Sequence, residues 1–281
     1  MNNFENINVL ITGASGGIGT SLSKAFSSTK ANLFLLGSSD EKISMLREEL
    51  PSKENIKFFT VDLSQRANVN NFCDSIIDEF GGISVVINNA GITQDSLFMR
   101  MSDSAWDKVF AINLDSSMAI IRKFIRGMIK KKWGRIVNIS SVVASTGNPG
   151  QSNYVAAKGA LNGLTKSMAL EVATRGVTVN CISPGFIDTA MTAKLTDDQK
   201  VKITEKIPMG RMGTGDDISP PAPILPIGIF SIIFDLWSSF NLAVIAVSIK
   251  PGEIQFTVTP LVATSSANDL VSPFNAPLEA T

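Results

Sequence analysis

Residues 7–26 read INVLITGASGGIGTSLSKAF and combine an apolar run, a cluster of glycines and an amphipathic run. Its apolar residues 7–11 predict a short buried strand, glycines follow at positions 13, 16, 17 and 19, and an amphipathic segment then predicts a helix. Glycines between a strand and a helix let backbone N–H groups approach a pyrophosphate at the helix N-terminus, where the helix dipole favours anions. Because the glycines stand in this context, they predict a dinucleotide-binding fold.

The rest of the chain extends this pattern outward. Strand-like and helix-like runs alternate through residue 206, which predicts the α/β class with a Rossmann-like, doubly wound parallel sheet. Each strand is mostly apolar, as expected when helices cover both faces of the sheet. The further strands are expected at residues 31–38, 55–63, 83–91, 134–140 and 176–185, with helices between them that include residues 41–50, 66–80 and 104–131.

A second stretch, SVVASTGNPGQSNYVAAK at residues 141–158, contains candidates for proton transfer. Tyr154 and Lys158 are four positions apart on a predicted helix, so their side chains lie on one face. A free tyrosine ionises near a pKa of ~10. A neighbouring ammonium favours the phenolate, so we expect a lowered tyrosine pKa, which suits general acid/base catalysis. The loop before the helix could bring the Ser141 hydroxyl back toward Tyr154. A surface coincidence would produce the same Tyr-x-x-x-Lys pair, so the assignment depends on the rest of the chain.

Together these motifs resemble the short-chain dehydrogenase/reductase family. TGASGGIG at residues 12–19, NNAG at residues 88–91, Asn113, Ser141 and the Tyr154–Lys158 pair stand in the family's order and at its spacing. The phrases GRIVNISSVVASTGNPGQSNYVAAKGAL and EVATRGVTVNCISPGFIDTAMT are similar to bacterial 3-oxoacyl-acyl-carrier-protein reductases, as is KIPMGRMGTGDDI. The resemblance covers residues 1–218. It implies a cytoplasmic, tetrameric enzyme of fatty acid synthesis that uses NADPH to reduce 3-oxoacyl-acyl-carrier-protein.

The resemblance also implies roles for individual residues. Tyr154 would donate a proton to the ketone oxygen, Ser141 would hydrogen-bond that oxygen, Lys158 would lower the tyrosine pKa and bind the nicotinamide ribose, and Asn113 would hold a proton relay. Residues 192–207 would be a helical lid over the acyl substrate. The cofactor-binding set that it implies is Thr12, Gly13, Ser15, Gly17, Ile18, Gly19, Ser38, Asp62, Leu63, Asn89, Ala90, Gly91, Tyr154, Lys158, Pro184, Gly185, Ile187 and Thr189.

The choice between NADP and NAD stays open at this point. Dinucleotide folds often carry an acid after the second strand that binds the ribose of NAD, but this chain reads Gly-Ser-Ser at residues 37–39 and has no carboxylate until Asp40. An acid there would repel a 2′-phosphate, so its absence favours NADPH. However, Gly16 stands where many NADP-using relatives have a basic residue, and Lys42 could only partly replace it. For Asp62, which matches the family's adenine-binding position, an ordinary capping carboxylate is the alternative.

Composition excludes several other classes of function. The formal net charge is +0 with a pI near 6.4, so there is no general basic surface for nucleic acid. The chain has no histidine, which excludes a histidine-based triad and disfavours a metal site. Cys73 and Cys181 are expected to fill the core rather than form a disulfide, and the N-terminus lacks the pattern of a secretory signal.

Two basic residues are candidates for binding a protein partner. By resemblance, Lys132 and Arg175 match positions that present positive charge to the acidic acyl carrier protein. An ordinary solvated surface charge is the alternative for each of them.

The family pattern stops at about residue 218, so we divide the chain into an NAD(P)-binding domain at residues 1–218 and an atypical segment at residues 219–281. Eight of the 12 prolines lie in this second segment, and such a shift in composition marks a boundary. Residues 227–249 are long enough to span a membrane, but Asp235 inside them costs roughly 2.5–3.5 kcal/mol, which disfavours the span. Alternatively, residues 242–249 or 254–259 replace the family's last strand. The interpretation we favour is a recombined coding sequence that ends in a poorly ordered tail.

Three functional alternatives follow. The chain is a 3-oxoacyl-acyl-carrier-protein reductase, another short-chain reductase acting on acetoacetyl-CoA, a sugar or a steroid, or an inactive cofactor-binding protein. The last would follow from the altered C-terminal segment, which is expected to weaken the homo-oligomer.

Overall fold

The computed structural model describes residues 4–193, 195–205 and 207–219, and the backbone of residues 231–234, 245–246, 249–250 and 253–254. Its strands are Asn8–Thr12 (β1), Asn32–Gly37 (β2), Ile56–Thr60 (β3), Val85–Asn88 (β4), Gly134–Ile139 (β5), Val177–Ser183 (β6), Ser231–Phe234 (β7), Ile245–Ala246 (β8), Ile249–Lys250 (β9) and Glu253–Ile254 (β10). Within the described residues, the first eight strands form one sheet in the order β3-β2-β1-β4-β5-β6-β7-β8. The pairs from β3 to β7 are parallel, and β8 is antiparallel to β7.

The strand order places a ligand crevice at one end of the sheet. The chain leaves β1 toward β2 and β3 on one side and returns to β4, β5 and β6 on the other, so the order reverses between β1 and β4. In open α/β sheets, ligands bind outside the carboxyl ends of the strands at such a reversal. The predicted Rossmann-like, doubly wound α/β sheet is therefore confirmed.

Helices connect the strands and cover both faces of the sheet. The helices are Gly17–Ser27 (α1), Asp40–Glu49 (α2), Arg66–Phe80 (α3), Asp103–Phe110 (α4), Ser116–Lys130 (α5), Val143–Thr146 (α6), Ser152–Val172 (α7), Asp197–Thr204 (α8) and Gly215–Ile218 (α9). The predicted long helix at residues 104–131 is confirmed, since residues 103–130 are helical throughout, and a π-helical turn at Ala111–Asp115 joins α4 to α5.

Alternating side chains of each strand build two cores, one on each face. Val9 and Ile11 of β1 face one side, where they join Leu22 and Phe26 of α1. Leu10 of β1 faces the other side, where it joins side chains of α3 and α5 such as Phe72 and Phe124. A fully buried side chain of this size contributes about 1.5–3 kcal/mol. The two cores hold the carboxyl ends of the strands, and hence the loops that follow them, in place.

One described strand of the C-terminal segment lies beside β6. The strand β7 pairs in parallel with β6, from Asn180 opposite Ser231 to Ser183 opposite Phe234. Neither segment predicted for this place is the neighbour of β6, since β8 pairs with β7 and β10 pairs with β9. Only a run that lies alongside β6 can pair with it, and composition alone does not show which of several apolar runs does so. The predicted membrane span at residues 227–249 and the poorly ordered tail fall mostly outside the described residues.

No helix in the described part of the chain is long and apolar enough to cross a membrane. Cys73 and Cys181 are both buried and free, as expected for cysteines that fill the core.

Candidate active site

The loops after β1 and β4 are joined by hydrogen bonds at the point where the strand order reverses. The Thr12 Oγ1 atom accepts bonds from the backbone N–H groups of Asn89 and Ala90, each at 3.0 Å. In return, the Asn89 side-chain amide donates to the carbonyl oxygens of Thr12 and Gly13, each at 3.0 Å. These predicted cofactor-binding residues therefore form one rigid unit.

Three glycines allow the loop after β1 to pack this closely. Gly13 has a φ of +61°, and a Cβ atom there would lie 2.8 Å from the Ala90 Cα atom. A side chain at Gly17 would collide with Thr189, and one at Gly19 would collide with the Gly13 carbonyl oxygen. The glycines predicted from the sequence are thus required by close packing, against backbone at Gly13 and Gly19 and against the Thr189 side chain at Gly17.

The first turn of α1 is suited to an anion. Gly16 is the N-cap residue of this 11-residue helix, and no side chain caps the turn. The first N–H groups of a helix have no partner within the helix, and the helix dipole attracts negative charge to them. Ile18 lies in this turn. The residues present therefore fit the pyrophosphate of a dinucleotide, which they would hold through backbone N–H groups.

The end of β2 lies beside the loop that follows β1. A Cβ atom on Gly37 would lie 3.2 Å from the Ser15 Oγ atom, so Ser15 lies directly beside Gly37. Ser38 is exposed. Ser39 is the N-cap of α2 and accepts a bond from the Lys42 backbone N–H at 3.5 Å. Ser39 thus caps the helix, and the neighbouring Ser38 is the exposed serine at this end of β2.

The predicted adenine position carries an exposed carboxylate. The Asp62 Oδ1 atom accepts bonds from the Ser64 backbone N–H at 2.9 Å and from the Ser64 hydroxyl at 2.7 Å. These hydrogen bonds lower the pKa of Asp62 below its usual value. Leu63 packs partly buried against the core that contains α3 and α5. Asp62 thus closes a local turn at Ser64 and does not cap α3, whose N-cap residue is Gln65.

Lys158 lies one helical turn after Tyr154 on α7, as predicted. Its side chain is only 2% exposed, and its Nζ atom donates a hydrogen bond to the Ile139 carbonyl oxygen at 2.6 Å. The Nζ atom lies 5.8 Å from the centroid of the Tyr154 ring. Burial lowers the pKa of this ammonium to about 8, against the partly opposing effect of Cys181.

The expected lowering of the Tyr154 pKa is wrong for this structure. Burial raises the pKa of the phenol and the negative charge of Asp95 raises it further, while a hydrogen bond with Ser141 lowers it. Removal from water disfavours the charged phenolate, and this effect outweighs the favourable ones. The same hydrogen bond shows that the loop before α7 does bring the Ser141 hydroxyl to Tyr154, as predicted.

Asn113 lies in the π-helical turn between α4 and α5 and is fully buried. Its Oδ1 atom accepts a bond from the Ile92 N–H at 2.8 Å, and its Nδ2 atom donates to the Ile92 carbonyl oxygen at 2.9 Å. A Cβ atom on Gly91 would lie 3.4 Å from the Lys158 Nζ atom and 3.5 Å from the Asn113 Oδ1 atom. Gly91, Asn113 and Lys158 therefore meet in one small space, and π-helical turns are often found at such functional sites.

The loop after β6 closes the other side of the site. The Pro184 carbonyl oxygen accepts a bond from the Val142 N–H at 2.9 Å, which ties this loop, including Gly185, to the residue after Ser141. Buried Ile187 pairs with Gly213, and Thr189 covers Gly17 of the glycine loop. The predicted lid at residues 192–207 contains α8, with Lys194 and Lys206 outside the described residues.

The two basic residues predicted to bind a partner lie together but far from Tyr154. Lys132 and Arg175 are exposed and come just before β5 and β6. They are close in space, because a side chain on Gly176 would collide with the Lys132 carbonyl oxygen. Tyr154 and Ser141 lie at the carboxyl ends of the strands, so the basic pair is at the opposite end of the sheet.

Two residues of the site were missed by the sequence analysis. Asn153, just before Tyr154, is fully buried and bonds to the segment that precedes α4. Asp95 lies close enough to Tyr154 to raise its pKa. The position of an asparagine directly before the tyrosine, in the first turn of a helix, was the one available signal for Asn153. In the described ranges, no three His, Cys, Asp or Glu residues are grouped as a metal ion requires.

Comparison with known proteins agrees with this geometry. The family model for short chain dehydrogenases matches residues 7–200. Nodulation protein G of a Rhizobium species is 44% identical over 210 residues, which are 75% of this chain and 85% of that protein. The 3-oxoacyl-[acyl-carrier-protein] reductase of Rickettsia typhi is 42% identical over the same shares, and that of Aquifex aeolicus is 41% identical over 75% and 86%.

A solved structure has the same fold. It is the crystal structure of a putative NAD(P) dependent gluconate 5-dehydrogenase from Beutenbergia cavernae with bound NADP at low occupancy. Its TM-score is 0.72 at 31% identity, and the match covers 78% of this chain and 89% of that one.

The fold and the site define an α/β protein of the oxidoreductase type. The chain belongs to the short chain dehydrogenase family, as the resemblance of its motifs predicted.

Proposed function

We propose that this protein is an NADPH-dependent reductase of 3-oxoacyl thioesters carried by acyl carrier protein. The observation that carries the proposal is the position of the buried Lys158 ammonium, 5.8 Å from the Tyr154 ring centroid, with the Ser141 hydroxyl beside the phenol. Membership of an oxidoreductase family supports the NAD(P)-dependent chemistry. The relatives named 3-oxoacyl-[acyl-carrier-protein] reductase, at 41–42% identity, support the substrate class.

The proposed chemistry begins with the proton on Tyr154. Because burial raises the pKa of this phenol, it holds its proton at neutral pH and can donate it to a ketone oxygen. The Ser141 hydroxyl next to it hydrogen-bonds the same oxygen and so stabilises the charge that develops there. When bound, the nicotinamide supplies the hydride.

Lys158 and Asn113 restore the proton in this scheme. The Lys158 ammonium is the buried cation next to Tyr154, and it favours the phenolate that remains after the proton has left. Asn113 is within the same small space, where both ends of its amide bond to the Ile92 backbone and so fix the wall beside the lysine. We place the proton relay along Tyr154, Lys158 and Asn113.

For the cofactor we propose NADPH. The exposed Ser38 and the cap residue Ser39 add no negative charge after β2, so a 2′-phosphate meets no repulsion until Asp40. Lys42 on the first turn of α2 adds one positive charge nearby. The structural neighbour with bound NADP supports the same choice.

The partner in this proposal is acyl carrier protein. Its binding in this proposal requires two copies of the chain. The seven residues of β6 span roughly 20 Å at about 3.3 Å per residue, and this length separates Lys132 and Arg175 from the catalytic end of the sheet. A homo-oligomer in which the basic pair of one copy lies beside the active site of another would allow both to contact one carrier protein.

A single assay tests the function. Oxidation of NADPH is followed with acetoacetyl-acyl-carrier-protein, with acetoacetyl-CoA and with 5-ketogluconate. The proposal expects the highest kcat/KM with the carrier-protein thioester and a rise in its KM alone when Lys132 and Arg175 are both changed to Ala. Preference for 5-ketogluconate would favour a sugar reductase, in line with the gluconate 5-dehydrogenase neighbour. Cofactor binding with no turnover of any substrate would favour an inactive cofactor-binding protein.

A further inference from the structure

We propose that Asn153 is a positioning residue that fastens the segment between β4 and α4 onto the first turn of α7 and so fixes where Tyr154 lies. The inference rests on the proposed role of Tyr154 as proton donor. It assigns a function to a residue next to the catalytic tyrosine that neither the motif nor the proposed chemistry uses.

Asn153 uses both ends of its amide. Its Nδ2 atom donates to the Gln94 carbonyl oxygen at 3.1 Å and to the Ala105 carbonyl oxygen at 3.4 Å. Its Oδ1 atom accepts a bond from the Tyr154 backbone N–H at 2.7 Å. One fully buried side chain therefore links the loop after β4, the helix α4 and the backbone of the catalytic tyrosine.

The three residues before Asn153 contact the same segment. The Gly150 carbonyl oxygen accepts a bond from the Ser96 N–H at 2.8 Å. The Gln151 amide donates to the Asp95 carboxylate at 3.1 Å, and the Ser152 hydroxyl donates to the Met101 sulfur at 3.7 Å. Four consecutive residues thus join this segment to α7, and only Asn153 among them is fully shielded from water. A buried amide that loses its partners is costly, so Asn153 sets the arrangement that the others follow.

The segment that Asn153 holds determines the surroundings of the phenol. It contains Asp95, whose charge acts on Tyr154, and its position determines how far Tyr154 is shielded from water. The other charged or titratable groups near the phenol are Lys158 on α7 and, behind the lysine, Cys181 on β6. Neither of these is in the segment that Asn153 fastens.

Asn8 provides a matched control. Its Nδ2 atom also bridges two carbonyl oxygens, those of Phe80 at 3.1 Å and Gly82 at 2.8 Å, and its Oδ1 atom also accepts a bond, from Asn32 at 3.0 Å. It lies at the amino end of β1, at the end of the sheet away from Tyr154. Asn8→Ala removes a similar set of bonds without touching the candidate site.

The chain is well suited to a direct measurement, because Tyr154 is its only tyrosine. Full-length protein labelled with carbon-13 at the tyrosine Cζ atom gives one signal, whose titration reports the Tyr154 pKa without assignment. In Asn153→Ala, the freed segment admits water and moves Asp95 away. We therefore expect the pKa to fall by at least about half a unit toward its ordinary value near 10. Asn8→Ala is expected to keep the wild-type pKa. Far-ultraviolet circular dichroism over the same pH range checks that each protein stays folded.

Either of two titration results would overturn the inference. A wild-type Tyr154 pKa in Asn153→Ala, or an equal fall in Asn153→Ala and Asn8→Ala, would show that Asn153 has no particular effect on the tyrosine. If Asn153→Ala does not fold, Asn153→Ser, a residue common at helix starts, is titrated instead and is judged by the same two outcomes.

Kinetics separate this inference from the proposed function. With a reducible substrate, Asn153→Ala is expected to lower kcat about tenfold while the Kd for NADPH stays within about twofold, because the misplaced group is the proton donor. The titration needs no substrate. A wild-type protein that reduces no 3-oxoacyl thioester would contradict the proposed function and leave the titration result to decide the role of Asn153.

Discussion

The Lys158 ammonium lies 5.8 Å from the centroid of the Tyr154 ring, while its hydrogen bond goes to the backbone of β5 at the Ile139 carbonyl oxygen. The lysine is thus fastened to the sheet, while the Ser141 hydroxyl, which follows β5, lies beside the phenol. The arrangement of these three side chains therefore depends on how α7 packs on β5.

Tyr154→Phe should bind NADPH as well as the wild type and lose about 10²- to 10⁴-fold in kcat, the usual contribution of a general acid. Only the hydroxyl is removed, and the ring that packs in the site stays. NADPH affinity from fluorescence titration and steady-state kcat measure the two effects. Near-normal turnover would contradict the assigned proton donor.

Lys158 should make stability depend on pH in a definite direction. Its pKa is about 8 in the folded protein and 10.5 ordinarily, so between these values the unfolded state binds more protons and the free energy of unfolding rises with pH. One pH unit within this window corresponds to about 1.4 kcal/mol.

The comparison is with Lys158→Met, which has no such ammonium. Urea unfolding of both proteins is measured at several pH values from 8 to 10. The free energy of unfolding of the wild type should rise relative to that of Lys158→Met as the pH rises. The buried thiols of Cys73 and Cys181 have raised pKa values, which lowers stability at high pH in both proteins and leaves the comparison informative. Parallel curves for the two proteins would contradict a buried ammonium with a lowered pKa.

Ser38→Asp should shift the cofactor preference from NADPH toward NADH. The new carboxylate would stand after β2, where it repels a 2′-phosphate and can accept bonds from a ribose. We expect the ratio of kcat/KM for NADPH to that for NADH to fall by about tenfold or more, equivalent to about 1.4 kcal/mol. Ser52→Asp adds the same charge after the far end of α2, at another exposed serine, and should leave the ratio unchanged. A wild type that already prefers NADH would contradict the choice of cofactor.

Gly176→Ala should destabilise the protein more than Gly81→Ala does. Both glycines have the left-handed conformation, with φ of +74° and +71°, so alanine costs about 1 kcal/mol at either position. Only at Gly176 would the new Cβ atom also collide with a backbone atom, the Lys132 carbonyl oxygen, whereas the space around Gly81 is open. Such overpacking adds about 1–3 kcal/mol. Equal losses of stability in urea unfolding would show that the contact at Lys132 is not tight.

Much of the fold was predictable because its signals are local. The apolar strand, the glycines at 13, 17 and 19 and the helix after them are consecutive in the chain, and each part favours one structure by itself. Tyr154 and Lys158 were predictable as a pair because four positions on a helix place two side chains on one face whatever the surroundings.

The π-helical turn at Asn113 and the strand beside β6 were not predictable in the same way. The π-helical turn contains Asn113, whose hydrogen-bond partners, the backbone groups of Ile92, are 21 residues away in the chain. Likewise, several apolar runs follow residue 218, and the pairing of β7 with β6 depends on which run reaches the edge of the sheet.

Residue type and spacing were enough to predict an α/β protein with a dinucleotide loop and a Ser–Tyr–Lys site. The direction of the Tyr154 pKa shift, the role proposed for Asn153 and the distance of Lys132 and Arg175 from the site became visible only in the folded molecule. A pKa follows from the balance of burial against charge, and burial is a property of the packed molecule. The end of the sheet at which a residue lies likewise follows from the direction of each strand, which only the assembled sheet defines.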